Sequence, residues 1–127
     1  MVTGRIYHLA LAADWEADPA AAYAMSTIGV SLAEQGFVHC SFAHQLAATA
    51  RRYYRGQRDV VLLEIDPTRL ASPLEVEEAA DGDRFPHVYG PINRDAVVRV
   101  TPVPMGEDGT PDVTGMTDRT GDAGGGA

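Results

Sequence analysis

Three of the four histidines fall in short runs whose alternation places side chains rather than merely filling a core. His8 lies in Arg5-Ile6-Tyr7-His8-Leu9, His39 in Gly36-Phe37-Val38-His39-Cys40-Ser41, and His87 in Phe85-Pro86-His87-Val88-Tyr89-Gly90-Pro91. Imidazole can donate to a ribose hydroxyl or a phosphate oxygen and can move protons near neutral pH. Ser41 adds a hydroxyl, and Tyr89 or Phe85 offers a ring on which a base can stack. Taken together, His8, His39, Ser41, His87 and Tyr89 describe a pocket for a nucleotide or dinucleotide. The competing structural reading is that each histidine is a core or turn residue satisfied by backbone groups. Glu77 is a candidate acid, base or electrostatic residue, set against the commoner case of a solvated carboxylate on a strand face.

Other chemistries fit the spacing less well. His39, Cys40 and His44 suggest zinc, but adjacent residues of a strand face opposite ways, and there is no Cys-x-x-Cys or His-Glu-x-x-His frame. No metal site is expected. Cys40 before a helix could act as a thiolate, although a lone cysteine more often behaves as a small buried apolar residue. Neither a Gly-x-Gly-x-x-Gly run nor a phosphate-loop lysine is present, which disfavours Rossmann and P-loop sites.

The elements that must carry these residues can be read from periodicity. A first strand over Arg5 to Ala10 puts Ile6, His8 and Ala10 on one face and Tyr7 and Leu9 on the other. Asp14 is placed to cap a short turn carrying Trp15 before Pro19 interrupts it, and the alanine-rich stretch from Ala20 to Met25 permits helix without defining its limits. Ser31 and Glu34 have capping-box spacing, with Gly36 set to end that turn in a left-handed conformation. The chain then runs extended, so Phe37, His39 and Ser41 share one side while Val38 and Cys40 turn into the packing.

Ser41 is a candidate N-cap for a helix from Phe42 to Arg55, ended by Gly56, with Arg51, Arg52 and Arg55 near its negative end. The aliphatic Val60 to Ile65 reads as a central strand covered on both faces, turned by Asp66-Pro67. Leu74 to Glu78 alternates with Glu75 and Glu77 on one side, Phe85, His87 and Tyr89 share a face, and Ala96 to Val103 is the last strand. The later strands follow one another without room for crossover helices. The expected fold is α+β, with five or six strands and two or three helices.

The 127 residues suffice for one domain, assigned to 1–103, and a single cysteine forbids an internal disulfide. With a net charge of −8, a general nucleic-acid surface is not expected, and half of that charge lies in residues 104–127. That segment holds seven of the 13 glycines and almost no apolar residue, so it reads as a disordered acidic tail. No apolar run approaches the roughly 18–20 residues of a membrane span and no secretory signal is seen, so a cytoplasmic, membrane-free protein is the expectation. Every fixed cation is an arginine, which can grip phosphate or simply be compositional habit.

Tyr-His-Leu near the start, Trp15, the run from Ser31 to Ser41, Gln45, Tyr54-Arg55-Gly56, Asp59, Leu62-Leu63, Asp66, the run from Phe85 to Asn93, and Ala96-Val97 closely resemble the bacterial family labelled domain of unknown function 952. The resemblance spans about residues 5 to 103. That family is in turn similar to the ADP-ribosyltransferase superfamily, which implies a compact split antiparallel sheet gripping NAD in a cleft. Val38-His39-Cys40-Ser41, followed by a helix and then Val60 to Asp66, resembles the His-Leu-Ser, helix, strand segment of the RNA 2′-phosphotransferases. The resemblance implies that His8 and His39 contact ribose, that Ser41 lies on the nicotinamide side, and that Glu77 or His87 holds the place of the superfamily's catalytic glutamate. An NAD-utilising domain is the expectation, with transfer of ADP-ribose or cleavage of the nicotinamide-ribosyl bond as the activity. A non-catalytic module for a nucleotide or small anion is the alternative.

Overall fold

The computed structural model describes residues 4–117. Among the described residues there are eight strands: β1 (Ile6–Leu11), β2 (Met25–Thr27), β3 (Val30–Ser31), β4 (Val38–His39), β5 (Val60–Ile65), β6 (Leu74–Glu78), β7 (Arg84–Val88) and β8 (Val97–Val103). Three α-helices accompany them: α1 (Ala12–Glu16), α2 (Leu32–Gln35) and α3 (Leu46–Tyr53). All strand pairing is antiparallel, in two three-stranded sheets ordered β1-β5-β8 and β4-β7-β6, with β2 and β3 paired separately. The α+β class is therefore observed. The extra strands are β2 and β3, three and two residues long and too short to leave a periodic signature in the sequence.

The two larger sheets meet where the chain leaves β4. Val38 and His39 pair with Val88 and His87 of the second sheet, and Cys40 N–H donates to the Pro86 carbonyl. Two residues on, Ser41 exchanges both backbone bonds with Tyr7 of β1, at 2.8 and 2.7 Å. One extended run thus belongs to both sheets.

β5 is buried along its whole length, as its aliphatic sequence requires. Alternation along β1 and β5 divides the interior. Tyr7, Leu9, Val60 and Leu62 meet Leu46, Ala50 and Tyr54 of the α3 region, while Ile6, Ala10, Val61, Leu63 and Ile65 meet Val38, Cys40, Val88, Ile92 and Tyr23. Tyr54 also donates its hydroxyl to the Leu9 carbonyl at 2.6 Å. The one charged residue of β5, Glu64, is buried between Arg5 (3.2 Å) and Arg99 (3.6 Å), and Arg5 extends to Asp66 (3.3 Å).

Around α2 the local expectations match. Ser31 and Glu34 form a reciprocal capping box, and Gly36 closes the helix at φ 95°, where a side chain would be strained. Three expectations are corrected. Asp14 does not cap α1: the N-cap residue is Leu11, and Asp14 lies in the first turn, beside the free amides of the positive helix end. Ser41 does not cap α3, because its backbone is held extended against Tyr7. The chain passes first through a 3₁₀ turn at Ala43–Gln45, where the Gln45 side-chain carbonyl accepts from Phe42 N–H at 2.9 Å. The alanine-rich segment forms no helix, since Tyr23 is drawn into a bridge with Ile92.

The described residues after 103 lie against the rest of the chain. Gly56 N–H donates to the Gly109 carbonyl, Met105 bridges Pro111, and Val113 and Met116 pack on the Leu46 and Tyr54 cluster. The rest of the segment read as a disordered acidic tail, residues 118–127, lies outside the described residues. Among the described residues no helix is long and apolar enough to cross a membrane.

Leu63, fully buried in the central strand, gives a direct test of this layout. Leu63→Ala is expected to lower unfolding free energy by about 2–5 kcal/mol in urea titrations, whereas a loss under about 1 kcal/mol would contradict a packed central strand.

Candidate functional site

A cavity of about 190 Å³ opens at the seam between the two sheets. Tyr7, Leu9, Thr49, Tyr53 and Tyr54 form the wall on the α3 side; His39, Phe85, His87 and Ala79 form the wall on the second sheet; Ser41 and His8 lie at the junction. Its surface is mainly apolar with a few polar groups, the character of a small-molecule site.

Strand register builds a polar group whose His39 and His87 line the second wall, while Glu77, Tyr89 and Phe37 lie behind them, outside the lining. His39 stands directly opposite His87, and Glu77 opposite Phe85, so Glu77 reaches His87 along the diagonal. His87 Nδ1 and Glu77 Oε1 are 2.7 Å apart, and Tyr89 donates its hydroxyl to the same Oε1 at 2.5 Å. Phe37 stacks on His87, with ring centroids 4.0 Å apart and planes 21° from parallel, and meets His39 edge-on at 4.8 Å. His39 in turn meets His87 at 5.3 Å.

These contacts set protonation. Bonds from Tyr89 and then His87 hold the Glu77 carboxyl below the usual carboxylate range, and Glu77 raises the Tyr89 hydroxyl. Burial, then the proximity of His87, lowers His39. With Glu77 ionised, His87 donates from Nδ1, and neutral His87 then carries its lone pair on Nε2. A carboxylate-oriented imidazole of this kind can take a proton from an incoming hydroxyl or water.

His8 occupies a different position. It is 2 % exposed, with Nδ1 2.5 Å from the His39 carbonyl and Nε2 3.0 Å from the Tyr23 hydroxyl. A carbonyl only accepts, so Nδ1 carries the proton and Nε2 accepts from Tyr23. Both ring nitrogens are therefore engaged, and His8 acts on the site by anchoring the backbone of His39 to β1. Burial lowers its pKa to about 4, although the bond to His39 works the other way. Burial also pushes Tyr23 well up.

His39, His87, Glu77 and Tyr89 are thus brought together by the structure. Ser41 lines the cavity but pairs with Thr49, their hydroxyl oxygens 3.1 Å apart. Cys40 is buried among Val38 and Val88, and its thiol is pushed strongly up by burial, a setting that opposes thiolate formation. Among the described residues no group of three or more His, Cys, Asp or Glu side chains could hold a metal ion.

Sequence reasoning did not nominate Phe37, Tyr23, Thr49 or Tyr53. The signals were slight. Phe37 shares the parity of His39, Tyr23 is the one aromatic in an alanine-rich stretch, and Thr49 is a polar residue one turn from Leu46 and Tyr53 on α3.

The family described as Protein of unknown function (DUF952) matches residues 9–100, and the chain belongs to it. A crystal structure of protein CC0527 from Caulobacter crescentus is similar to it at 32% identity, covering 86% of this chain and 94% of that one with a TM-score of 0.77. A solution NMR structure of CC0527 is 33% identical, covering 91% and 95% of the two chains with a TM-score of 0.71. No curated protein matches the chain.

The setting of His8 has a pH consequence. Its folded pKa lies below the roughly 6.5 of an unfolded histidine, so the unfolded chain takes up the proton first. The stability associated with neutral His8 is full above about pH 6.5 and falls as pH drops toward about 4, by on the order of 3 kcal/mol. Urea unfolding at neutral pH and within that window is expected to show this decline, with a shallower one in His8→Gln. Equal slopes in both proteins would exclude His8 as its source.

Proposed function

We propose that this protein takes the nicotinamide-ribose end of NAD into the seam cavity and promotes cleavage of the nicotinamide-ribosyl bond. The observation that carries this reading is the pair His39 and His87 on the wall of a small apolar cavity, with Glu77, itself bonded by Tyr89, holding His87 from outside the lining. A cavity of about 150 Å³ holds a benzene ring, so this one suits a single heteroaromatic ring and part of a sugar rather than a whole dinucleotide. Two three-stranded antiparallel sheets joined at one bridge also fit the split sheet of the ADP-ribosyltransferase superfamily. A likeness of fold supports a pocket, and the reaction is argued from the side chains.

In this reading the ring lies against Tyr7, Leu9 and Phe85, while the His39 imidazole and the Ser41 and Thr49 hydroxyls address the ribose and the nicotinamide side. The bond from the ribose carbon to the nicotinamide nitrogen breaks with its electron pair leaving on nicotinamide. The sugar becomes oxocarbenium-like, and the ionised Glu77, outside the lining and bonded to His87, favours it through that imidazole. An acceptor hydroxyl or water then bonds to that carbon and yields its proton to Nε2 of His87. His8 is a positioning residue here, acting through the His39 carbonyl.

Calorimetric titration with NAD and with ADP-ribose, together with chromatographic detection of released nicotinamide, tests the reading. Binding and slow release are expected, with His87→Ala and Glu77→Gln cutting release by about 100-fold or more while binding changes far less. No heat with either nucleotide in a folded sample would overturn the pocket assignment. Binding without release on prolonged incubation would favour a non-catalytic nucleotide module.

A further inference from the structure

The cavity takes a ring and part of a sugar, so the remainder of any longer ligand must leave through its mouth. On the α3 side that mouth is marked by Tyr53, 58% exposed, with the Arg52 guanidinium 5.6 Å from its ring centroid. On the other side stands the turn between β6 and β7, beginning at Ala79, which lines the cavity. One ion pair joins the two sides: Arg52 Nη1 lies 3.8 Å from Asp81 Oδ2, and both side chains are largely exposed. Asp81 uses its other oxygen to accept from Asp83 N–H at 2.9 Å, so the carboxylate is part of the turn and is held toward α3 by it.

The neighbouring arginines are directed elsewhere in the structure or bonded to other groups. Arg55 donates to Thr110, Arg84 to the Val76 carbonyl, and Arg51 lines a separate surface pocket beside the segment after 103. An exposed single-contact pair such as Arg52 with Asp81 is weak. A phosphate can accept two guanidinium bonds at once and carries more charge, so it outcompetes one distant carboxylate oxygen.

We infer that Arg52 reads a phosphate group of the ligand at the cavity mouth and that Asp81 is its built-in competitor, released when the phosphate arrives. The exchange frees the β6-β7 turn from α3 while the ligand is bound and restores the pair when it leaves. This rests on the nicotinamide-ribose reading of the cavity and adds that the ligand must be phosphorylated to bind well.

Nicotinamide riboside and nicotinamide mononucleotide differ only in the phosphate, so their calorimetric affinities separate the two claims. The wild-type protein is expected to bind the mononucleotide about tenfold more tightly, with the advantage shrinking as salt is raised. Arg52→Gln removes that advantage and leaves riboside affinity unchanged. Asp81→Asn, which deletes the competitor, increases mononucleotide affinity alone. Thermal melting confirms that both variants are folded. If Arg52→Gln weakens riboside and mononucleotide alike, or Asp81→Asn weakens the mononucleotide, the phosphate role is overturned while the cavity reading stands. If neither compound binds the wild-type protein, the cavity reading falls and this inference with it.

Discussion

The arrangement of this molecule depends on one short run, Val38 to Ser41, serving two sheets at once. Its first half is a strand of the β4-β7-β6 sheet, and its last residue completes a two-bond bridge with Tyr7 of the β1-β5-β8 sheet. Because strand side chains alternate, the same run sends Val38 and Cys40 into the interior and offers His39 and Ser41 to the seam. Backbone pairing alone would leave this junction two residues long. His8 reinforces it by donating to the His39 carbonyl, and Tyr23 closes the set by donating to His8. Two buried polar side chains are thereby satisfied in a region that would otherwise penalise both.

Most of the arginines have structural work, which answers the question raised by a chain with no lysine. Arg5 and Arg99 clamp the buried Glu64, and Arg5 and Arg69 converge on Asp66. Arg94 donates to the carbonyls of Trp15, Asp18 and Ala21 while its guanidinium lies 4.0 Å from the Trp15 ring centroid. A planar fork that can serve several acceptors and still stack on an aromatic face suits these sites better than an ammonium. Arg94 secures the loop that carries Tyr23, and so supports the seam from a distance.

Much of the site was legible because it is built by period two. The shared face of Phe85, His87 and Tyr89, the inward turn of Cys40 and the pairing of Glu75 with Glu77 on one side all follow from alternation, and the register then sets His39 opposite His87. Capping was legible where it is a local side-chain exchange, as at Ser31 and Glu34. It failed at Ser41 and Asp14, where a preference for caps met a backbone already committed elsewhere.

The sequence by itself determined the α+β class, the central strand, the faces of the strands and the family to which the chain belongs, since each is a matter of local pattern. Only the tertiary structure decided which histidines share an environment. His8 and His39 both border the cavity, but His8 is buried at the junction with both ring nitrogens engaged, whereas His39 stands beside His87 on the second wall. Which neighbours a side chain meets depends on strand register and on contacts between residues far apart in the chain. Those contacts, such as His8 with Tyr23 and Glu77 with His87, arise from packing that no local spacing encodes.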